Sequence, residues 1–276
     1  MSRASVLLSL ALFCGACSSD DDKSDDSGGE GTSDGADGAD GSDGGDGADG
    51  GDGGVEVEAV CTEPTDMTCV DALILDLSLH DDKVSDGDVT TTVDGDDFVT
   101  VVDASAGGYS AAASNPWVYV RFTPEGAERV EIDDETALES MQWHMGLRRF
   151  IVRLNGGTSG PSCVGAATLA ESEYADLTGV PDGLGFRMDD YYTDDCTIIN
   201  DSSGLPGSPQ VVLGQWWSYS GCVETSMKPH LVQLDDGHVI RLRIETYYGR
   251  DQDVCNATGA GGEDSGIITM RWQYVL

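Results

Sequence analysis

A chain of 276 residues with 51 acidic and 14 basic side chains, net −37 at pH 7, has too few cations to build the basic face that phosphate backbones require. Nucleic acid is therefore not an expected partner. The acids are also unevenly spread, and the first fifty-odd residues differ in kind from the rest.

The chain opens MSRASVLLSLALFCGACSS. Arg3 supplies a positive start, residues 4–13 a short apolar run, and small residues then precede a cysteine, the layout of an export leader. About ten apolar residues fall short of the ~20 that a spanning helix needs, and no later stretch comes closer. Gly15-Ala16-Cys17 resembles the lipobox of bacterial lipoproteins. Residues 1–17 are thus read as leader and lipobox, with Cys17 as the acylated residue and membrane attachment through the lipid; plain secretion is the alternative. Acyl chains on one cysteine would give the multiple anchors that stable membrane attachment needs. Ser18-Ser19 after the cysteine favours the outer membrane or cell surface.

Residues 18–54 contain little besides Gly, Asp, Ser and Ala, with seven consecutive xDG triplets from Ser33 to Gly53. Twelve Asp and Glu30 face only Lys23, so this stretch carries net −12. Without apolar surface to offset chain entropy it is expected to be a disordered tether. Glycine at every third position without proline does not make a collagen helix. As a coil it reaches ~35 Å, and self-repulsion extends it toward a contour limit of roughly 120 Å.

The remaining 222 residues hold 38 acids and 12 bases, net −26. That is enough chain for one buried core. Residues 55–97 read as an N-terminal extension and 98–276 as the domain proper. In chain order, strands are expected at Phe98–Asp103 and Trp117–Phe122, one helical segment at Asp134–Ser140 (DETALES), and a strand at Phe150–Leu154. A hairpin follows, His230–Leu234 turning through Asp235-Asp236-Gly237 into His238–Glu245. Within it Ile240, Leu242 and Ile244 alternate with Arg241, Arg243 and Glu245, the signature of a half-buried antiparallel strand. The C-terminus repeats the pattern, with Ile268, Met270, Trp272 and Tyr274 against Thr269, Arg271 and Gln273. The fold class is all-β: antiparallel sheets in a sandwich-like single domain, with one short helical segment, behind the tether.

Six cysteines remain, Cys61, Cys69, Cys163, Cys196, Cys222 and Cys255. An even set in an exported chain reads as disulfides. Fifteen pairings are open; nearest-in-order pairing, Cys61 with Cys69, Cys163 with Cys196 and Cys222 with Cys255, is the working expectation.

With strands placed, a longer pattern emerges. The run Trp143-x-Met145-Gly146-x-x-Arg149-Phe150-x-Val152-Arg153-Leu154-Asn155-Gly156-Gly157-x-Ser159-Gly160 resembles the HmuY-like family of bacterial surface lipoproteins. Val102-Asp103-Ala104-Ser105, Trp117-Val118-Tyr119, the aromatic stretch Gln215–Tyr219, LVQLDDGHVIRLRIETYY and the closing GIITMRWQYVL agree in order. The resemblance covers about 98–276. Read from residues alone, Asn155-Gly156-Gly157 ends a strand in a conformation glycine tolerates. Arg149 and Arg153, four apart, would share a strand face and pair with carboxylates; contact with a ligand is the alternative.

The resemblance implies an all-β haem-capturing protein that holds iron between two side chains, commonly histidines and sometimes methionine. It also implies an outer-membrane haem receptor or a haemoprotein as partner. Such a site needs an apolar cleft and soft or imidazole ligands. The family's ligand positions are not matched. Gly221 follows Trp216-Trp217-Ser218-Tyr219-Ser220 where the family places a histidine, and no histidine lies between Pro161 and Gln215. The axial candidates are Met188, His144 and His230, each with a plain alternative as gap filler, outward strand residue and strand-end residue. His238 reads as solvated, and His80 lies outside the resemblance. Trp216, Trp217, Tyr191 and Tyr192 are candidates for the walls. Arg148, Arg153, Arg241 or Arg243 would have to offset the repulsion between propionates and an acidic body.

A non-haem surface binding module of the same fold is the alternative. Its acidic loops Asp94-Gly95-Asp96-Asp97 and Asp189-Asp190 are candidate calcium ligands without a complete loop motif. An enzyme is disfavoured, since H-E-x-x-H does not occur and bridged cysteines leave no Cys-His pairing.

Overall fold

The computed structural model describes residues 57–276 except 204, 206 and 207. The leader, Cys17 and the Gly/Asp tether lie outside the described residues. None of the described helices is long and apolar enough to cross a membrane.

A short helix, α1 (Val70–Asp76), comes first, followed by the hairpin β1 (Val89–Asp94) and β2 (Asp97–Asp103). A second hairpin, β3 (Val118–Thr123) and β4 (Gly126–Val130), leads into a third, β5 (Met145–Arg148) and β6 (Ile151–Leu154). Then come β7 (Gly165–Thr168), the small pair β8 (Trp217–Tyr219) and β9 (Val223–Thr225), β10 (His230–Gln233), β11 (Val239–Arg250), α2 (Gln252–Thr258) and β12 (Glu263–Tyr274). Every strand pair is antiparallel. One sheet has the order β1-β2-β12-β11-β10-β7, the other β4-β3-β5-β6.

The two sheets meet through the alternating residues. Ile240, Leu242, Ile244, Ile268, Met270 and Trp272 of the larger sheet pack against Val118, Val120, Phe122, Met145, Leu147 and Val152 of the smaller, all fully or nearly buried. Period-two burial of one face is what forces this sandwich. The opposite face of β11 and β12 holds charge: Arg271 bridges Glu245 at 2.9 Å and Asp94 at 2.9 Å, and Arg241 meets Asp97 at 3.0 Å.

The smaller sheet is covered on its second face as well. Leu73, Leu77 and Leu79 of the α1 region form a second core with Trp117, Tyr119, Trp143 and Tyr191. Within the described part of the 55–97 stretch, the α1 region roofs the smaller sheet and β1 pairs along its whole length with β2.

Helical content departs from expectation in place. Asp134–Ser140 contains only one 3-10 turn, Thr136–Glu139, started by Asp133, whose carboxylate accepts the Thr136 N–H at 2.8 Å and its hydroxyl at 2.6 Å. The two α-helices occupy stretches read as extension and loop. Each has only seven residues and starts from a left-handed residue, Cys69 (φ 60°) or Asp251 (φ 60°), with no side-chain cap. Such short helices have little intrinsic stability. Both are held by disulfides, Cys69–Cys196 and Cys222–Cys255.

The third disulfide is Cys61–Cys163. Of the nearest-in-order pairs only Cys222–Cys255 forms; Cys61–Cys69 and Cys163–Cys196 are replaced by bonds across 102 and 127 residues. The reason is tertiary: the α1 region lies across the smaller sheet, so both its cysteines face later loops.

Candidate functional site

The family-like run from Trp143 to Gly160 folds into β5, a two-residue turn at Arg149-Phe150, and β6. Arg149 adopts φ 57° at that turn, so it shares no strand face with Arg153. Neither pairs with a carboxylate as expected. Arg149 donates to the Ser265 carbonyl at 3.0 Å and its hydroxyl at 2.9 Å. Arg153 is fully buried, donating to the Ser159 carbonyl at 2.9 Å and Tyr119 Oη at 2.6 Å, with its guanidinium 5.0 Å from the Trp117 ring and 5.1 Å from the Trp143 ring. Burial works against this cation, but Tyr119, Tyr191 and Asp134 outweigh it and raise its pKa further.

The rest of the run is structural too. Asn155 donates to the Ser140 carbonyl at 2.9 Å and the Trp143 carbonyl at 2.8 Å, and accepts the Ser162 N–H at 3.1 Å. A Cβ on Gly160 would lie 2.2 Å from Asn155 Oδ1 and 2.8 Å from the Trp143 ring. The signature therefore encodes how this corner folds.

The three axial candidates are separated and differently occupied. His144 is buried; its Nδ1 accepts the Phe122 N–H at 3.1 Å, which puts the ring proton on Nε2, donated to Asp235 Oδ1 at 2.9 Å. No lone pair remains for a metal. Burial pulls the Asp235 carboxyl upward, yet the hydrogen bond and charge interaction with His144 hold it below the usual carboxylate value.

His230 is completely enclosed in β10, its Nδ1 3.0 Å from the Thr168 hydroxyl and its Nε2 buried without a partner. It occupies the first position of β10. Burial, with a smaller contribution from Lys228, lowers its pKa to about 4. Met188 is 45 % exposed and lies over the glycine turn, its Cβ and Cγ near Gly157 and Gly156; it plugs no core gap.

The four wall candidates do not form one cleft. Trp216 and Trp217 belong to the inter-sheet core, their rings 6.4 Å apart, and Phe150 lies 4.8 Å from Trp217. Tyr191 and Tyr192 belong to the second core, under α1. Grooves of about 600, 400 and 680 Å³ open elsewhere on the surface, and neither the wall nor the axial candidates line them.

The cations considered for propionates are committed. Arg148 donates to the Leu77, Ser78 and Asn115 carbonyls beneath Trp117, and burial lowers its pKa to about 10. Arg241 is bound to Asp97, and Arg243 lies 2.5 Å from Glu245.

The calcium expectation fails for the same reason. Asp94 and Asp97 are neutralised by Arg271 and Arg241. Buried Asp189 accepts the Leu154 N–H at 2.8 Å and the Val212 N–H at 2.7 Å. Burial raises its pKa to about 6 despite those bonds. Among the described residues, no group of three or more His, Cys, Asp or Glu side chains is arranged to hold a metal ion.

Reasoning from sequence missed the partners that decide these roles, Asp235 for His144 and Thr168 for His230, each more than 60 positions away. No local pattern carries such a pairing.

The family model described as HmuY protein matches residues 113–259, more than half of the chain. The chain belongs to the HmuY family. Among solved structures, one from Bacteroides vulgatus described as a HmuY-like haem-binding protein is 18 % identical, with a TM-score of 0.42, covering 66 % of this chain and 93 % of its own. A Bacteroides fragilis structure described as a lipoprotein is 19 % identical, TM-score 0.38, covering 67 % and 95 %. The apo form of a HmuY analogue from Tannerella forsythia is 15 % identical, TM-score 0.36, covering 70 % and 98 %. No curated protein matches the chain.

Proposed function

We propose that this chain is an exported, lipid-anchored binding protein of the HmuY family that works at the outer membrane or cell surface without a histidine-coordinated haem. The observation that supports this best is the double engagement of His144 by Phe122 and Asp235. A ligand role through Nε2 would break both bonds and leave the Asp235 carboxylate without its partner, and one through Nδ1 would strip the buried Phe122 N–H of its acceptor. His230 is walled in by the sandwich core, and the aromatic candidates are divided between two cores. Binding rather than catalysis fits a chain whose G-x-S-x-G match, at residues 31–35, falls within the Gly/Asp-rich stretch.

Haem capture is the second reading, favoured by family membership and by the exposed thioether of Met188. In it, the thioether would bind iron from the surface, and a haemoprotein or outer-membrane haem receptor would be the partner.

A haemin titration of the full chain with intact disulfides, followed in the Soret region, separates the two. The proposal expects a spectrum that the His144→Ala and His230→Ala replacements leave unchanged, whether or not haemin associates. A saturable low-spin spectrum abolished by either replacement overturns it, and one abolished only by Met188→Ala establishes the second reading.

A further inference from the structure

The groove of about 600 Å³ lies between the α1 region and the connection from β4 to β5. Its apolar floor is made by Met67, Val70 and Ile74, which are only partly covered, together with Leu138. Around that floor stand Asp66, Asp81, Asp133, Glu135 and Glu139, and no Lys or Arg lines the groove. Elsewhere on the body, carboxylates such as Asp94, Asp97 and Glu245 are matched by arginines.

The walls are fixed before anything binds. Cys61–Cys163 and Cys69–Cys196 bracket the stretch that forms one side. Between them Thr65 donates its N–H and its hydroxyl to the Pro161 carbonyl at 2.7 and 3.0 Å. Much of one wall, residues 64–81, lies outside the stretch matched by the family model. A preformed concavity with an apolar floor loses little entropy on binding.

We infer that this groove docks a basic peptide segment of a partner protein, with one or two apolar side chains on the floor and Lys or Arg side chains against the acidic rim. Charge complementarity selects this occupant. The chain's own tether carries 13 acids against one Lys, so the rim repels it, and a second copy of a body at net −26 meets the same repulsion. The inference stands whether or not haem binds.

The test is a random 12-residue peptide library selected on the full chain with its disulfides intact. Because the tether attracts any cation, each selected peptide is measured on two variants with equal charge removed. One is Asp66→Asn/Glu135→Gln/Glu139→Gln at the rim; the other is Glu171→Gln/Glu173→Gln/Asp182→Asn, exposed positions outside the groove. The expected result is peptides combining Lys or Arg with apolar anchors, weakened about ten-fold or more by the rim variant and less than two-fold by the control. Binding lost equally in both variants, enrichment for charge without apolar anchors, or no enrichment overturns the inference. A concentration-dependent dimer that dissociates in Ile74→Asp, folded by circular dichroism, also overturns it, because a second copy then fills the groove.

Discussion

Tyr119 and Arg153 hydrogen-bond at 2.6 Å across Gly146. Gly146 sits between them on the central strand β5, in register with both. A Cβ there would approach Arg153 Nε and Tyr119 Cε1 to 3.2 Å each. Two side chains from strands that are not neighbours can meet only because the strand between them has no side chain at that point.

Gly146→Val is therefore expected to lose about 2–3 kcal/mol through overpacking and displacement of this bond. Urea unfolding followed by tryptophan fluorescence measures it, and a midpoint unchanged from the parent chain would refute the account. Gly146→Ala is expected to cost less, since 3.2 Å contacts need only a few tenths of an ångström of relaxation.

His144→Ala removes an acceptor from the Phe122 N–H and a donor from Asp235, both at buried or half-buried positions. The expected loss is about 2–4 kcal/mol of stability. A stability loss below about 0.5 kcal/mol would show that these bonds do not hold the ring.

The pH dependence of His230 has a definite sign. Its folded pKa of about 4 lies below the ordinary value of 6.5, so the unfolded chain binds more protons between these values. Stability is then lost as pH falls below about 6.5 and continues to fall until pH 4. The expected contribution is about 3 kcal/mol between pH 7 and pH 4. Asp189 acts oppositely: with its folded pKa raised to about 6 from 3.8, it stabilises at low pH and loses that contribution as pH rises through 6. Comparing urea stability of the parent chain with His230→Leu cancels Asp189. The variant is expected to gain on the parent as pH falls, and parallel curves would sink the assignment.

Replacing Cys61 and Cys163 together by Ser opens a loop of 102 residues and is expected to cost about 2–5 kcal/mol. It should also release the Thr65–Pro161 contact beside the groove. Urea midpoints and amide exchange around Thr65 report both, and unchanged protection there would show that the disulfide does not hold that wall.

The strand pattern was legible because burial on one face writes itself as alternation. Ile240, Leu242 and Ile244, and Ile268, Met270 and Trp272, lie in the inter-sheet core as their spacing implies. The short helices were not legible, since seven residues without a capping side chain carry little local signal and are held by disulfides to distant loops.

By itself the sequence determined the antiparallel all-β class, the acidic balance, the hairpin through Gly237 and the family-like run at Trp143–Gly160. Each of these is a local property of composition, period or turn chemistry. Only the tertiary structure decided which cysteines pair, that Arg153 is buried under Trp117 and Trp143, that His144 belongs to Asp235, and that Met67 and Leu138 share a groove. Those relationships join residues tens of positions apart, and sheet packing brings them together without a trace in the spacing along the chain.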